Sequence, residues 1–141
     1  VAAAPASAGR LTFAVNTATG AGHPQVQAFA ALGHYADSSA ESVGMYGNVY
    51  DLELRVTNPQ ATPRQVRVQI AALGGGAPSR FWDGITLVEG TPVVLRLTPA
   101  ARTQTLATLT IAAGAEEVLR VRGMVPGLTS IPEALILTTC P

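Results

Sequence analysis

The two histidines of the chain, His23 and His34, carry imidazole groups of the kind that bind zinc and copper in proteins. They do not stand in an HxH, HxxxH or HExxH pattern, the spacings that place two imidazoles on one metal ion. Asp37 follows His34 closely, and a carboxylate beside an imidazole orients it as a ligand. Glu41 and Cys140 are the other side chains that could complete such a set. A catalytic metal generally needs three or four converging ligands. The sequence therefore predicts no cofactor in the isolated chain; if copper or another metal is bound, His23, His34 and Asp37 are its candidate ligands.

Residues for acid–base, nucleophilic or phosphate-binding chemistry do not fall in recognisable arrangements. Asp51 and Glu53 alternate onto the solvent side of a predicted strand, and Glu116-Glu117 lies in a predicted turn, so these carboxylates are not expected to converge in a cleft. No serine stands in a GxSxG pattern. The three glycines at 74–76 lack the Lys-Ser/Thr pair of a phosphate-binding loop. The sequence predicts no catalytic residues and favours a protein that is not an enzyme.

Aromatic side chains are the remaining candidates for a binding site. Phe81 precedes Trp82, the only tryptophan of the chain, and Tyr46 lies three residues before Val49, where a strand is predicted to begin. A tryptophan can present a flat face to a ligand, or it can fill one end of a hydrophobic core. Both interpretations are open, and Tyr46, Phe81 and Trp82 are the candidate binding residues.

Composition limits the classes of partner. The chain of 141 residues has nine basic residues, all arginine, and nine acidic residues, so its formal net charge is zero. This balance excludes the basic surface expected of a nucleic-acid-binding protein. Only 13% of the residues are charged, which leaves a surface of small polar and alanine side chains, typical of a secreted protein or one that is packed against others. No run reaches the roughly 20 apolar residues of a membrane-spanning helix.

The first nine residues and the last cysteine carry weaker signals. Residues 1–9 are rich in Ala, Pro and Ser, as is common just after a signal-peptidase cut, and are expected to be a flexible tail before one domain over residues 10–141. This composition favours export to the cell envelope or beyond it. Cys140 has no second cysteine to pair with, so it is either an inert residue or a bridge to another chain.

Residues 49–72 carry the clearest structural pattern. Apolar residues alternate with polar ones in two segments, which indicates two half-buried strands. The residues expected on the buried face are Tyr50, Leu52, Leu54, Val56, Val66, Val68 and Ile70. The polar connection at residues 58–65 contains two prolines and predicts that the two strands form an antiparallel hairpin.

The same strand-and-turn pattern continues along the rest of the chain. Further strands are predicted at residues 11–15, 26–32, 85–88, 92–97, 103–111, 117–122 and 134–139, with a long loop at 33–47. About eight or nine strands with no amphipathic helix predict an all-β fold, a single antiparallel β-sandwich of immunoglobulin-like or Greek-key type.

Several of these segments together resemble a known family. They are the run Met-Tyr-Gly-Asn-Val-Tyr-Asp-Leu at 45–52, Thr-Asn-Pro at 57–59, Phe-Trp-Asp-Gly at 81–84, and the strand step from 109–114 into 118–121. This pattern is similar to the C-terminal part of a family of secreted bacterial β-sandwich proteins of unknown function, over residues 44–139. The resemblance implies export and supplies no catalytic residues.

A second resemblance concerns residues 121–129, Val-Arg-Gly-Met-Val-Pro-Gly-Leu-Thr. This segment is similar to one in copper/zinc superoxide dismutase, an eight-stranded sandwich in which a histidine-rich strand follows. Residues 130–139 of this chain contain no histidine. The resemblance implies an alternative function, a superoxide dismutase-like copper protein whose metal site is reduced or is completed by a partner.

Together these observations predict a non-catalytic module of the cell envelope or the exterior that serves as a structural or interaction subunit of a surface assembly. Its edge strands carry little charge to prevent lateral pairing. We therefore expect a protein partner or a homo-oligomer, joined through an edge strand or through the loop at 33–47.

Overall fold

The computed structural model describes residues 2–5, 9–16, 28–30, 41–43, 49–72, 82–124 and 133–140. These residues form β-strands and the connections between them, which confirms the predicted all-β class. Within these ranges, no helix has the length and the apolar character needed to cross a membrane.

The strands are numbered in chain order. They are β1 (Ala2–Pro5), β2 (Arg10–Asn16), β3 (Ala28–Ala30), β4 (Glu41–Val43), β5 (Val49–Thr57), β6 (Arg64–Ala72), β7 (Trp82–Val88), β8 (Thr91–Leu97), β9 (Thr103–Ile111), β10 (Glu116–Met124) and β11 (Glu133–Thr139).

Five strands form one sheet, called sheet A, in the order β1-β5-β10-β7-β8. Its neighbouring strands are antiparallel except for β1, which pairs in parallel with β5. The antiparallel class predicted for the sheets thus holds, with one parallel pair at the edge of sheet A. Residues 2–5, which were expected to belong to a flexible tail, form this edge strand.

Four strands form the opposing sheet, called sheet B, in the order β2-β11-β6-β9, and all of its pairs are antiparallel. Side chains from the inner faces of both sheets pack into one hydrophobic core. The two sheets thus form the predicted sandwich, and their nine strands agree with the predicted eight or nine.

A separate two-stranded sheet is formed by β3 and β4, which pair antiparallel. The strand expected at 26–32 is present over Ala28–Ala30. The loop expected at 33–47 is interrupted by β4, so the loop prediction is wrong at Glu41–Val43. Strands of three residues are too short to show the alternation that identified the longer ones.

The hairpin predicted from residues 49–72 is wrong. β5 lies in sheet A beside β10, whereas β6 lies in sheet B beside β11 and β9, so the two strands do not pair with each other. Their connection crosses from one sheet to the other. The connection between β9 and β10 crosses in the opposite direction, so that β5 pairs with β10 while β6 pairs with β9.

Asn58 joins these two crossing connections. Its side chain is buried, and Nδ2 donates to the carbonyls of Ile111 at 3.1 Å, Ala112 at 3.0 Å and Thr62 at 2.9 Å. Its backbone N–H donates to the carbonyl of Ala115 at 2.8 Å. The buried amide thus supplies donors to backbone carbonyls of both crossing connections, one of which, that of Ala112, also accepts from the N–H of Ala115 at 3.1 Å.

The hairpin predicted between residues 85 and 97 is confirmed as β7–β8, closed by Glu89 and Gly90. Both residues have positive φ, 48° and 77°, as the twist of a two-residue hairpin requires. Glutamate is an unusual choice there. Its carboxylate compensates by accepting a hydrogen bond from the N–H of Arg120 on the neighbouring strand.

The predicted core face is confirmed. Leu54, Val56, Val66, Val68 and Ile70 are each at most 3% exposed. Tyr50 and Leu52, the other two residues expected there, are partly buried against the same core.

Candidate functional site

The residues singled out by the sequence fall mostly outside the described ranges. These are the candidate metal ligands His23, His34 and Asp37, and the aromatic candidates Tyr46 and Phe81. Roles assigned to them stay predictions. Trp82, the sixth candidate, is the first residue of β7 and pairs in register with Leu97 on β8.

Several described strands begin or end at the same end of the sandwich. Glu133 at the start of β11 pairs with Asn16 at the end of β2 and with Ala72 at the end of β6. Val49 at the start of β5 pairs with Met124 at the end of β10. These strand ends lie at the same end of the sandwich, called the Glu133 end.

A buried carboxylate and a phenol meet at the Glu133 end. Glu133 is fully buried, although the sequence analysis assigned it to no strand and no site. Burial and, to a lesser extent, the negative charge of Glu133 raise the pKa of Tyr50 to about 12. A phenol with so high a pKa stays protonated at neutral pH, so Tyr50 can donate a hydrogen bond but is a poor general base. A single carboxylate among the apolar residues that open the last strand is the signal that would have found this pair.

A small cavity lies beside this pair, between the two sheets. Its lining includes Tyr50, Leu52, Thr86, Gly123 and Leu135, and its volume is about 20 Å³. Such a volume accommodates about one water molecule, whereas small-molecule sites occupy about 300–1,000 Å³. This cavity is therefore a packing defect of the core and not a ligand site.

Metal-binding groups do not cluster within the described part of the chain: no set of three or more His, Cys, Asp or Glu side chains lies close enough to hold an ion. Cys140 is a half-buried free thiol there, and its backbone N–H donates to the carbonyl of Gln65 at 2.8 Å.

The outer face of sheet A carries the exposed hydrophobic side chains. All five large hydrophobic residues that are exposed in the described ranges lie on this face; they are Val49 (57% exposed), Ile85 (60%), Val94 (55%), Val118 (38%) and Met124 (50%). Val49 pairs with Met124, and Ile85 pairs with Val94. Because Gly123 pairs with Thr86, Met124 and Ile85 are the next neighbours along β10 and β7. Four of the five residues therefore form one row across β5, β10, β7 and β8, called the apolar row.

Beside the apolar row, the outer face carries paired charges. Asp51 on β5 contacts Arg122 on β10 at 4.0 Å. At the next outward-facing position of β5, Glu53 contacts Arg55 at 2.6 Å and Arg120 at 3.8 Å. These pairs are solvent-exposed, so each contributes little to stability, but together they leave the face electrically mixed.

The outer face of sheet B is different. Ala71, Ala134 and Ile136 point away from the core between the sheets, yet they are at most 3% exposed. This part of sheet B is therefore covered by the chain itself, whereas the outer face of sheet A is open to solvent.

The β8 edge of sheet A is partly blocked. Gln104 on β9 donates from Nε2 to the carbonyl of Val94 at 2.7 Å, and its Oε1 accepts from the N–H of Arg96 at 3.1 Å. These backbone groups would otherwise be available to an added strand. The described β8 edge is thus less suited to strand addition than an edge whose backbone groups are free.

Comparison with known proteins gives one match. The sequence model of the family described as "Protein of unknown function (DUF3370)" matches residues 3–73, half of the chain. The chain belongs to this family. No curated protein and no solved structure matches it significantly.

The matched region bears on the family resemblance drawn from the sequence. Membership of a family of unknown function agrees with that resemblance. However, the match covers β1 to β6, whereas the resemblance was placed on residues 44–139, so the two share only residues 44–73. The turn-and-strand motifs beyond residue 73 are therefore outside the match.

Proposed function

We propose that this chain is a non-catalytic β-sandwich module of the cell envelope or the exterior, and that it serves as a structural or interaction subunit of a surface assembly. The observation that carries the proposal is the apolar row on the outer face of sheet A. Contiguous exposed apolar surface on a soluble domain marks an interaction site more often than a random surface does.

The distribution of exposed side chains supports this proposal. In the described ranges the large exposed hydrophobic residues are concentrated on one of the two outer faces, and four of them are contiguous. Scattered exposed hydrophobic residues need no explanation, but a row of four across adjacent strands does. The mixed charges beside the row supply the polar rim typical of protein interfaces.

Export is proposed on composition and on the resemblance. A surface with few charges suits a protein that is packed among others, and the family resemblance drawn from the sequence implies export. Fractionation of the organism that makes the protein tests this part. Recovery in the cytosol alone would contradict it.

The interaction part is tested by affinity capture from native envelope extracts, with the tagged protein as bait. The variant Ile85→Asp places a charge in the centre of the apolar row, where the side chain is 60% exposed and the fold should tolerate it. We expect at least a ten-fold loss of captured partner, because an unpaired charge must be desolvated at the interface.

The matched control is Thr108→Asp, an exposed position on β9 of sheet B. We expect it to capture as much partner as the unaltered protein. Equal capture by the unaltered protein, Ile85→Asp and Thr108→Asp would contradict the assignment of this face as the interaction surface. Turnover of a specific substrate by the purified protein would contradict the non-catalytic function.

A further inference from the structure

We propose that the outer face of sheet B carries a second binding surface, a strip of arginine and hydroxyl side chains that binds an acidic polysaccharide. The strip consists of Arg10, Thr138 and Arg67 and is called the basic strip. This inference goes beyond the proposed function, because it concerns the opposite face of the sandwich and a different class of partner.

The charges of the sandwich are distributed unevenly, although the formal net charge of the chain is zero. On sheet A, Arg55, Arg120 and Arg122 each contact a carboxylate. The one acidic residue on the four strands of sheet B, Glu133, is fully buried. The exposed charged residues on these strands are all basic; they are Arg10, Arg64 and Arg67. The strands of sheet B therefore attract anions, whereas the outer face of sheet A is electrically mixed.

Two of these arginines lie on the outer face, on either side of a threonine. The residues that follow them in the sequence, Leu11 and Val68, pack into the core, so the arginine side chains point away from it. Thr138 on β11 pairs in register with Arg10 on β2 and with Arg67 on β6. Adjacent strands are about 4.8 Å apart, so the backbones of the two arginines are about 10 Å apart. Guanidinium groups at this spacing can converge on one anionic group or bind two successive groups of a polymer.

Neither arginine of the basic strip has an acidic partner within the described part of the chain. Arg10 and Arg67 are exposed, and the ion pairs found among the described residues all lie on sheet A. A guanidinium presents five donors in a planar fork that matches the geometry of carboxylate and phosphate groups. These donors are therefore available to an anionic group of another molecule.

The side chains around the basic strip favour a sugar polymer as the carrier of that group. Thr12 lies two residues beyond Arg10 on the same face of β2, and Gln65 lies two residues before Arg67 on the same face of β6. Both side chains are exposed. Hydroxyl and amide groups donate and accept hydrogen bonds, as the hydroxyl groups of sugars do. The face thus combines charge for an acidic group with neutral partners for the sugar that carries it.

Other anionic partners match this face less well. The large hydrophobic residues that are exposed in the described ranges all lie on sheet A. The basic strip therefore lacks the apolar centre of a protein interface and the apolar anchors that insert into a lipid surface. Nucleic-acid binding uses aromatic side chains that stack on bases, or a larger basic surface. The one aromatic residue on the strands of sheet B, Phe13, packs against the core.

The number of contacts sets the expected affinity. Two charge-assisted contacts and a few neutral hydrogen bonds support a dissociation constant of roughly 0.1–1 mM for one strip. Such a contact exchanges rapidly, so a neighbouring position such as Thr108 on β9 stays accessible to reagents. A polysaccharide repeats its acidic groups, so copies of the module held in one assembly bind it more tightly than a single copy does.

The test is affinity electrophoresis of the full chain through native gels that contain a polysaccharide. Polygalacturonate, which carries carboxylates, and dextran sulfate should retard the protein, whereas neutral dextran should not. Arg10→Gln and Arg67→Gln should each raise the dissociation constant at least three-fold, and the double variant at least ten-fold, because each change removes a charge-assisted contact. Thr138→Val, which removes only the hydroxyl between the arginines, should raise it at least two-fold.

The matched control is Arg120→Gln, which removes the same charge from an exposed position on sheet A. It should bind polygalacturonate like the unaltered chain. Polyglutamate tests the class of ligand, because it carries carboxylates without sugar hydroxyls. We expect it to retard the protein at least three-fold less than polygalacturonate does at the same concentration of carboxylate.

Three results would overturn the inference. The first is that neither acidic polysaccharide retards the unaltered chain. The second is equal weakening by Arg67→Gln and Arg120→Gln, which would show an effect of overall charge. The third is equal retardation by polyglutamate, which would show that the strip binds polyanions, acidic protein segments included, and not glycans in particular.

These results are distinguishable from failure of the proposed function. Ile85→Asp on sheet A should leave polysaccharide binding unchanged, and the double variant Arg10→Gln/Arg67→Gln should leave capture of the protein partner unchanged. Loss of polysaccharide binding in Ile85→Asp would place the site on sheet A and contradict the inference alone.

Discussion

Asn58 forms hydrogen bonds that join two separate connections of the described structure. It is 1% exposed, and its side chain binds carbonyls of its own connection and of the connection between β9 and β10. The amide is thus shared between two of the connections by which the chain passes from one sheet to the other. Because both passages are needed for β5 to pair with β10 and β6 with β9, the amide stabilises the arrangement of the strands.

Replacing Asn58 with alanine should therefore be strongly destabilising. Asn58→Ala removes the side-chain donor from a buried hydrogen bond to the carbonyl of Ile111 and from the carbonyl of Ala112, which keeps the N–H of Ala115, so we expect the free energy of unfolding to fall by about 1–3 kcal/mol in a denaturant titration. Gln60→Ala is the control, since the side chain of Gln60 is exposed and only its backbone N–H binds Asn58, at 3.1 Å. Equal losses for the two variants would show that the Asn58 side chain does not join the connections.

Tyr50 is expected to titrate later than an ordinary tyrosine. Burial and the charge of Glu133 raise its pKa to about 12, so the folded state holds the phenolic proton at pH values where the unfolded chain has released it. Folding stability should therefore fall as the pH rises from about 10, the ordinary pKa of tyrosine, through 12. Tyrosinate absorbance should show one late component among the three tyrosines, and Tyr50→Phe should remove it. A late component that persists in Tyr50→Phe would contradict the assignment.

At the scale of strands, β10 and β7 approach closely because one of their paired residues is glycine. Gly123 pairs with Thr86, and a Cβ added at Gly123 would lie 2.9 Å from Thr86 Oγ1. That hydroxyl cannot move without cost, since it donates to the carbonyl of Arg122 at 2.9 Å. The strand predicted at 117–122 stops before Gly123, but β10 continues through this glycine to Met124. A glycine that permits close packing and one that marks a turn look the same in a sequence.

The close approach predicts a coupled pair of substitutions. Gly123→Ala should lower the free energy of unfolding by about 1–3 kcal/mol through overpacking. Thr86→Ala removes the nearest atom, so the double variant should lose less stability than the sum of the two single variants. Strict additivity in the denaturant titrations would show that the two residues do not limit the spacing of these strands.

The alternation in β5 gives a second prediction at this scale. Leu54 is 2% exposed in the core, so Leu54→Ala should lower the free energy of unfolding by about 2–5 kcal/mol through lost burial and a new cavity. Arg55, its neighbour, is an exposed residue whose contacts with Glu53 and Glu116 are surface ion pairs, so Arg55→Ala should cost about 1 kcal/mol or less. Comparable losses would contradict the assigned register of β5.

Strands β5 and β6 show which part of the fold can be predicted from a sequence. Alternation reveals that Leu54 and Val68 are buried, because it reports which side of a strand meets the core. It does not reveal whether two successive strands pair within one sheet or face each other across the core, since both arrangements bury the same residues. The prediction succeeded for β7–β8, where a two-residue connection is too short to cross the roughly 10 Å between packed sheets. It failed for β5 and β6, whose six-residue connection at 58–63 is long enough.

At the scale of the whole molecule, the two outer faces of the sandwich differ. The outer face of sheet B is covered by the chain at Ala71, Ala134 and Ile136, whereas that of sheet A exposes the apolar row. Several residues of the apolar row were predicted to lie on strands. Their position on one contiguous face depends on the order of the strands in the sheet, which brings together three segments that are distant in the sequence, at 49, 85–94 and 124. The row was therefore not predictable from alternation alone.

The central claim is that the outer face of sheet A is covered by a protein partner in the native assembly. Its most direct test is thiol labelling of single-cysteine variants, Val94→Cys on the apolar row and Thr108→Cys on sheet B, both in a Cys140→Ser background that removes the only native cysteine. In dilute purified protein, both introduced thiols should react at similar rates, since both positions are exposed. In native extracts, we expect the thiol at position 94 to be protected at least ten-fold while the thiol at position 108 reacts as before. Equal labelling of the two positions in native extracts would contradict the claim.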